Sequence, residues 1–299
     1  MKAGKAIDVI CLGQAVVDCI TIGKEDAPAG TLAMRAASIR LSTGGDAVNE
    51  SFVLAGKGYR TELVCGIGKD PAGTILLSQA EKYGVGTGRV SVIDGMDTPV
   101  ANLMVAVDGS RVSVNSRATM LPGYIPDESV VKGAEIVSFA SLFRAPLDRK
   151  EVICRLIRSA HEDGAVICAD TKLPTFRKLR LEDLKEVLPL IDYIFPNEKE
   201  AAYYTGETDY AKMAAVFHSY GIRHVLIKTG ADGCFASSGR ETFSLPARKV
   251  DVVDTTGAGD NYVAGFISGI LQGMDLYSCC ETALDQAAKC VQHSGAVEK

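Results

Sequence analysis

The 299-residue chain has only four histidines, and no two are spaced as ligands of one metal ion. Its nine cysteines, an odd number, form no C-x-x-C pair, and Cys11, Cys65 and Cys168 sit inside apolar runs as buried thiols do. The adjacent Cys279 and Cys280 would face different sides of a helix. A reducing cytoplasm is the expected setting. No apolar stretch approaches the ~18 residues of a membrane span. The opening MKAGKAIDVICLG runs from a short polar lead into a strand-like segment, without a signal peptide's apolar core or cleavage site. No basic run occurs, and 37 acids against 32 bases leave a net charge of −5. Binding to nucleic acid or an anionic membrane is therefore not expected, although a few backbone amides can still hold a phosphorylated ligand. The phosphate loop G-x-x-x-x-G-K-[ST] is missing, as is the serine elbow G-x-S-x-G. Gly66-Ile67-Gly68-Lys69-Asp70 has Pro71 where a dinucleotide fingerprint needs its third glycine.

What is present is the composition of a globular chain: 47% apolar residues, 23% charged residues and 30 glycines. β-like runs alternate with amphipathic stretches, the pattern of a sheet built from βαβ units. Strands are expected over Ile7–Leu12, Thr61–Cys65, Glu135–Phe139, Ala165–Ala169, Tyr193–Phe195 and Arg223–Lys228, with a hairpin over Gly233–Leu245. Helices are expected over Asp46–Ala55, Pro71–Tyr83, Leu147–His161, Leu181–Leu188, from Glu198, and over Gly257–Leu271 and Leu276–His293. Thr98–Val107 and Arg111–Asn115 flank the turn dipeptide Asp108-Gly109. With Cys19–Ile22 and Ser38–Leu41 they are expected to form a small sheet inserted as a lid. Without an internal repeat or linker, residues 1–299 read as one domain, its lid drawn from insertions around 19–24, 37–42 and 98–116.

Four segments suggest chemistry, and each also has a plainer structural reading. In Asp254-Thr-Thr-Gly-Ala-Gly-Asp260, Gly257, Ala258 and Gly259 let a ligand approach backbone amides at a helix start, where the dipole favours negative charge. Asp260 at its edge can take a proton from a hydroxyl beside that anion; the alternative is a packed helix start with a first-turn acid. In Thr43-Gly44-Gly45-Asp46-Ala47-Val48-Asn49, paired glycines precede a helix and Asn49 offers both donor and acceptor, which suits a hydroxyl-rich ligand. Asp18, just past the first strand, can accept from two vicinal hydroxyls. Turn or cap chemistry would explain these equally. Asn197 and Glu200 share one face of a new helix after a buried strand, where hydrated magnesium with phosphates can bind, or they simply cap that helix. Lys228-Thr-Gly230-Ala-Asp-Gly233 makes an open turn for a flat ring or phosphate chain, or an ordinary strand connection.

Taken in order, GGDAVN, PNEKE, KTGADG and above all DTTGAGD resemble the motifs of the ribokinase-like, or PfkB, family of carbohydrate kinases over nearly the full chain. The resemblance implies an α/β fold: a doubly wound, mostly parallel central sheet flanked by helices, with a small β lid. It implies an ATP-dependent kinase in which Asp260 is the catalytic base and Gly257, Ala258 and Gly259 form the anion hole. Asp18, Gly44, Gly45, Asn49 and Asp260 would hold the sugar. Asn197 and Glu200 would organise magnesium and phosphates, Glu200 through water. Lys228, Gly230 and Gly233, with Gly257 and Gly259, would line the ATP site. Asp254 and Thr256, with a loop near Ser294–Ala296, would bind an activating potassium ion. The expected acceptor is a free pentose or hexose. The alternatives are a nucleoside, or an inactive regulatory protein that binds sugar or nucleotide. No basic cluster beside Gly44-Gly45 speaks for a phosphorylated sugar. A homodimer through the lid is expected. Three features depart from the family pattern. Asn261-Tyr262 replaces a smaller or more apolar pair and would reshape the sugar pocket. Lys172, in place of a common asparagine, would contact ATP phosphates. Arg117 and Arg144 are read as surface or lid-hinge residues rather than substrate contacts.

Overall fold

The computed structural model describes residues 5–24, 35–106 and 111–297. The expected Asp108-Gly109 turn lies outside them. In chain order the first half contains β1 (Ile7–Leu12), β2 (Val16–Lys24), β3 (Ser38–Gly44), α1 (Asp46–Gly56), β4 (Thr61–Val64), β5 (Gly66–Gly68), α2 (Pro71–Lys82), β6 (Ser91–Ile93), β7 (Val100–Ala106) and β8 (Arg111–Asn115). The second half contains β9 (Ala134–Leu142), α3 (Lys150–Glu162), β10 (Val166–Thr171), β11 (Tyr193–Ile194), α4 (Glu198–Thr205), α5 (Tyr210–Ser219), β12 (His224–Lys228), β13 (Cys234–Ser237), β14 (Thr242–Leu245), α6 (Ala258–Leu271) and α7 (Leu276–Cys290).

Eight strands form the central sheet in the order β14-β13-β12-β11-β10-β9-β1-β4. The run from β4 to β12 is parallel, and the β13–β14 hairpin closes one edge antiparallel. Strand alternation divides the core between two faces. Ile10 and Leu12 of β1 pack with Ile153, Leu156 and Ile157 of α3 and with Phe217 of α5. Val9 and Cys11 pack on the opposite side with Phe52 and Leu54 of α1, Phe266 of α6 and Ala283 of α7. Helices therefore cover both faces, as a parallel sheet without a wet side requires. β1 has β4 on one side and β9 on the other, so the strand order reverses there and opens a crevice at the carboxyl ends of the strands.

The smaller sheet, in the order β3-β2-β7-β8, contains the segments expected for the lid. Registers Asp18↔Ser42, Ile20↔Arg40 and Ile20↔Leu103 put these side chains on one face. Ile39, Leu41, Val112 and Val114 point the other way and are exposed.

Two helical expectations need correction, and one helix lies where none was expected. Leu181–Leu188 is not an α-helix but separate 3-10 turns at Leu181–Leu184 and Leu188–Leu190. Leu181, Leu184 and Leu188 are all buried, so their spacing marks a covered face, while Pro189 disfavours helical geometry in the residue before it. α3 begins at Lys150 rather than Leu147, because the Leu147 amide closes a tight turn onto Arg144 O. α5 was not anticipated. Its signal is Asp209, whose side chain caps the helix by accepting from Lys212 N.

Candidate active site

The first turn of α6 is shaped by Gly257, whose φ of 77° is left-handed. A Cβ there would lie 2.2 Å from that of Ala296, so only glycine fits. The Ala258 amide leans on Thr255 O at 3.3 Å. The Gly259 and Asp260 amides take no acceptor among the described residues, which leaves two donors at the positive end of a helix.

Asp260 follows, only 5% exposed. Its Oδ2 accepts from Asn49 Nδ2 at 2.7 Å, and its Oδ1 lies 3.5 Å from Lys172 Nζ. Burial pushes its pKa up to about 7, helped by the charges of Asp46 and Asp170 and restrained by Lys172 and the Asn49 bond. Asn49 reaches it because α1 starts directly after Gly45, whose φ of 98° and contact with Gln14 O at 2.4 Å from a virtual Cβ exclude other residues. Gly44 is needed for a different reason: a Cβ there would sit 2.3 Å from Asp18 Oδ2. Asp18 itself is raised to about 6 by burial.

Sequence spacing did not point to the ion network beneath this carboxylate. Lys172, just past β10, brings its Nζ within 3.1 Å of Asp46 Oδ1 and 3.0 Å of Asp170 Oδ2. The Asp170 contact is ionic rather than a hydrogen bond, since that oxygen has no donor aligned with it. Lys228 Nζ donates to the other oxygen of Asp170 at 2.5 Å. Burial works against the Lys172 ammonium, but Asp170, Asp46, Asp260 and Glu200 more than offset it and hold its pKa well above the usual lysine value. Burial likewise pushes Asp46 up, yet Lys172, the Ser141 hydroxyl at 2.8 Å and Arg144 bring it below the ordinary carboxylate range.

Asp46, Lys172, Lys228 and Asp260 line one cavity of about 610 Å³ between the small sheet and the carboxyl ends of the strands, with Asp170 behind it. Asp18, Gly44, Gly45, Asn49, Asn197, Lys228, Gly230, Asp254, Thr256, Gly257, Gly259 and Asp260 all reach it. Ala258, Glu200 and Gly233 are not on its lining. Gly233 serves the hairpin instead, since a Cβ would lie 1.9 Å from Leu245 O. Asn197 and Glu200 form a reciprocal cap on α4, with Glu200 Oε2 accepting from Asn197 N at 2.9 Å and from Thr171 Oγ1 at 3.1 Å. Thr256 donates N–H and Oγ–H to Asp254 Oδ1, while Gly295 N donates to Asp254 Oδ2, so the C-terminal loop is tied to the turn.

Of the departures from the family pattern, the Asn261-Tyr262 pair sits differently from expectation. Asn261 and Tyr262 do not line the cavity; both are buried behind it. Asn261 Nδ2 donates to Gly257 O and Ala296 O and so staples the turn to that loop. Arg117 is exposed, and Arg144 donates to Leu173 O; neither lines the cavity. Arg40 of β3 does line it, donating to Ser294 Oγ at 2.6 Å, an arrangement visible only once lid and loop face each other.

Residues 6–299 match the model of the pfkB family of carbohydrate kinases. The chain belongs to that family. It is a kinase of the sugar and nucleoside type, a phosphotransferase with an alcohol group as acceptor. An ATP-dependent ribose-1-phosphate kinase from Halopiger xanaduensis is 30% identical over 256 residues, covering 85% of this chain and 80% of its own. A ribokinase from Haemophilus influenzae is 27% identical over 86% of this chain and 81% of its own. The fold is that of Arabidopsis thaliana ribokinase, solved with ribose and ATP. The two superpose with a TM-score of 0.83 at 24% identity, over 97% of this chain and 94% of that one. The ribokinase-like architecture and the separate small sheet thus agree with expectation.

Proposed function

We propose that this pfkB-family kinase transfers the γ-phosphate of ATP to a hydroxyl of a small sugar, a free pentose or hexose, with Asp260 as base. One observation carries the reading: a buried carboxylate held near pH 7 faces the cavity beside two amides that have no acceptor among the described residues. A base poised near neutrality combines the ionised form with useful proton affinity. The acceptor's hydroxyl proton passes to Asp260 as its oxygen bonds to the γ-phosphorus, and the bond to the bridging oxygen of ADP breaks. The Gly259 and Asp260 amides and the α6 dipole offset charge on the transferring group. Gly257, Ala258 and Gly259 together leave room for it. Lys228, close to Gly259, and Gly230 face the nucleotide side. Asp18, Gly44, Gly45 and Asn49 hold the sugar, and the lid excludes water.

Magnesium would arrive on the triphosphate and neutralise its charge. The donor set fits an outer role, in which Asn197 would face the ion's waters and Glu200, buried behind it with Oε2 accepting from Asn197 N and Thr171 Oγ1, would hold Asn197 in place. Potassium would sit near Asp254 and Thr256, where the turn meets Ser294–Ala296.

A nucleoside acceptor is the second reading, supported by the apolar lid wall of Ile20, Ile22, Leu103 and Val105, which suits a base. The exposed outer lid face of Ile39, Leu41, Val112 and Val114 supports a homodimer through the lid. Nine free thiols support a cytoplasmic setting. No described helix is long and apolar enough to cross a membrane.

The test is ADP release against a panel of sugars and nucleosides, with and without potassium, for the native chain and Asp260→Ala. Acceptor-dependent ADP release that disappears in the variant supports the proposal. Near-native turnover in Asp260→Ala rejects the base, and ligand binding without any turnover favours a regulatory binder.

A further inference from the structure

We propose that Lys172 is the positioning residue of this site: its ammonium favours the ionised form of the Asp260 carboxylate and fixes it between Asp46 and Asp170. The inference rests on Asp260 being the base and goes beyond it by assigning what keeps that base usable.

The geometry is specific. Lys172 is a single cation whose Nζ lies 3.1, 3.0 and 3.5 Å from carboxylates of α1, β10 and α6 respectively. Its main chain is held on both sides, with N–H donating to Leu142 O at 3.0 Å and C=O accepting from Tyr204 at 2.7 Å. The side chain is 15% exposed and reaches the cavity lining, so the ammonium is aimed rather than free to wander. The other two acids have further partners, Ser141 for Asp46 and Lys228 for Asp170. Among the described residues, Asp260 has only the neutral Asn49 as a further partner. Without Lys172, Lys228 would be the one ammonium left among the described residues for three clustered carboxylates.

The groups that bear on Asp260 come from every neighbouring element: Asp46, Asn49 and the buried Glu50 from α1, Asp170 from β10, and Cys290 from α7. Burial raises the Glu50 pKa well above the ordinary carboxylate value and pushes the Cys290 thiol up to about 12, and neither a carboxyl nor a thiol supplies positive charge. Against them stands Lys172, whose charge favours the carboxylate. An opposite charge this close typically moves a carboxylate by about 1–3 pH units.

The experiment compares kcat/KM against pH for the native chain, Lys172→Met, Lys172→Arg and Asp260→Asn. In Lys172→Met the acid limb should move up by about one unit or more, giving about a ten-fold loss at pH 6 that narrows towards pH 9. Lys172→Arg should keep the limb in place while kcat falls several-fold, because a guanidinium cannot occupy the same point between three carboxylates. A folded Lys172→Met with an unmoved limb overturns the proposal and leaves charge neutralisation as the lysine's only role. Should Lys172→Met not fold, Lys172→Arg decides alone: unchanged kcat, or a change confined to the KM for ATP, overturns it. Asp260→Asn separates the two readings. If that variant keeps its turnover, the base assignment fails; if it is inactive while the Lys172→Met limb is unmoved, only the lysine proposal fails.

Discussion

Asn49 Nδ2 and Asp260 Oδ2 meet at 2.7 Å across 211 residues of chain, and both side chains are buried. The bond joins the double-glycine segment at the start of α1 to the glycine turn at the start of α6. It orients the carboxylate and gives its anion a donor that burial would otherwise deny. The two helix starts therefore act as one unit, with the proposed sugar side on one and the proposed base on the other.

Removing that donor should be felt at the base before it is felt in stability. Asn49→Ala is expected to shift the acid limb of kcat/KM upward and cut turnover by about ten-fold or more, since a bond to a charged group typically contributes about 1.5–3 kcal/mol. Pre-steady-state rates at several pH values would check this. An unchanged limb would mean that the bond is incidental.

The value near 7 for Asp260 carries two opposite pH dependences. Turnover should fall about ten-fold per unit below pH 7, as the base is protonated. Stability runs the other way. The folded pKa lies above the unfolded value, so the native state binds the proton more tightly. That contribution is complete below about pH 4 and is lost as pH rises through 7. Asp260→Asn should therefore melt higher than the native chain at pH 8 and lose this advantage near pH 4, by calorimetry, while being almost inactive.

Two glycine variants should separate the halves of the cavity. Gly44→Ala drives a methyl into Asp18 Oδ2 and should raise the KM for the acceptor several-fold, with little effect on the KM for ATP. Gly257→Ala meets Ala296 and demands a left-handed φ, at a cost on the order of 1 kcal/mol for the backbone alone. It should reduce kcat and weaken nucleotide binding by calorimetric titration. Equal effects of the two variants on both substrates would argue against the division.

Glu50 is wholly buried behind the site, accepting from Ser138 Oγ at 2.5 Å, with its other oxygen unpartnered. Burial holds its pKa well above the ordinary value, against the Ser138 bond. Glu50→Gln should fold normally and be more stable than the native chain at alkaline pH, since stability from the protonated acid is lost as pH rises through its folded value. Glu50→Ala should cost on the order of 2–3 kcal/mol at pH 6 through the void it leaves, with a smaller deficit at pH 9, where the native chain has lost stability from the protonated acid. Denaturant titrations at pH 6 and 9 distinguish the two, and a Glu50→Gln variant destabilised at both would show that the ionised form is the native one.

Much of this protein could be read locally. β1, α1, α2 and the β13–β14 hairpin follow their apolar periods and turn residues, and the four lid segments follow period-two patterning. The errors have local causes of another kind. Leu181–Leu188 has helical spacing but a proline that disfavours the geometry, and α5 announces itself only through one capping aspartate. Gly233 and Asn261 were legible as special residues, yet their backbone partners, Leu245 and Ala296, lie in other segments. Lys172 was legible only as an unusual residue, because its three carboxylates come from separate parts of the chain.

The amino-acid sequence by itself determined the layered α/β architecture and the two glycine turns, because backbone freedom and strand or helix period are properties of adjacent residues. Tertiary structure alone decided the electrostatics: which acid is buried, which lysine meets it, and that Asp260 rests near neutrality. Charges interact through space and in a dielectric set by burial, and neither the distances nor the burial exist until β10, α1 and α6 pack together.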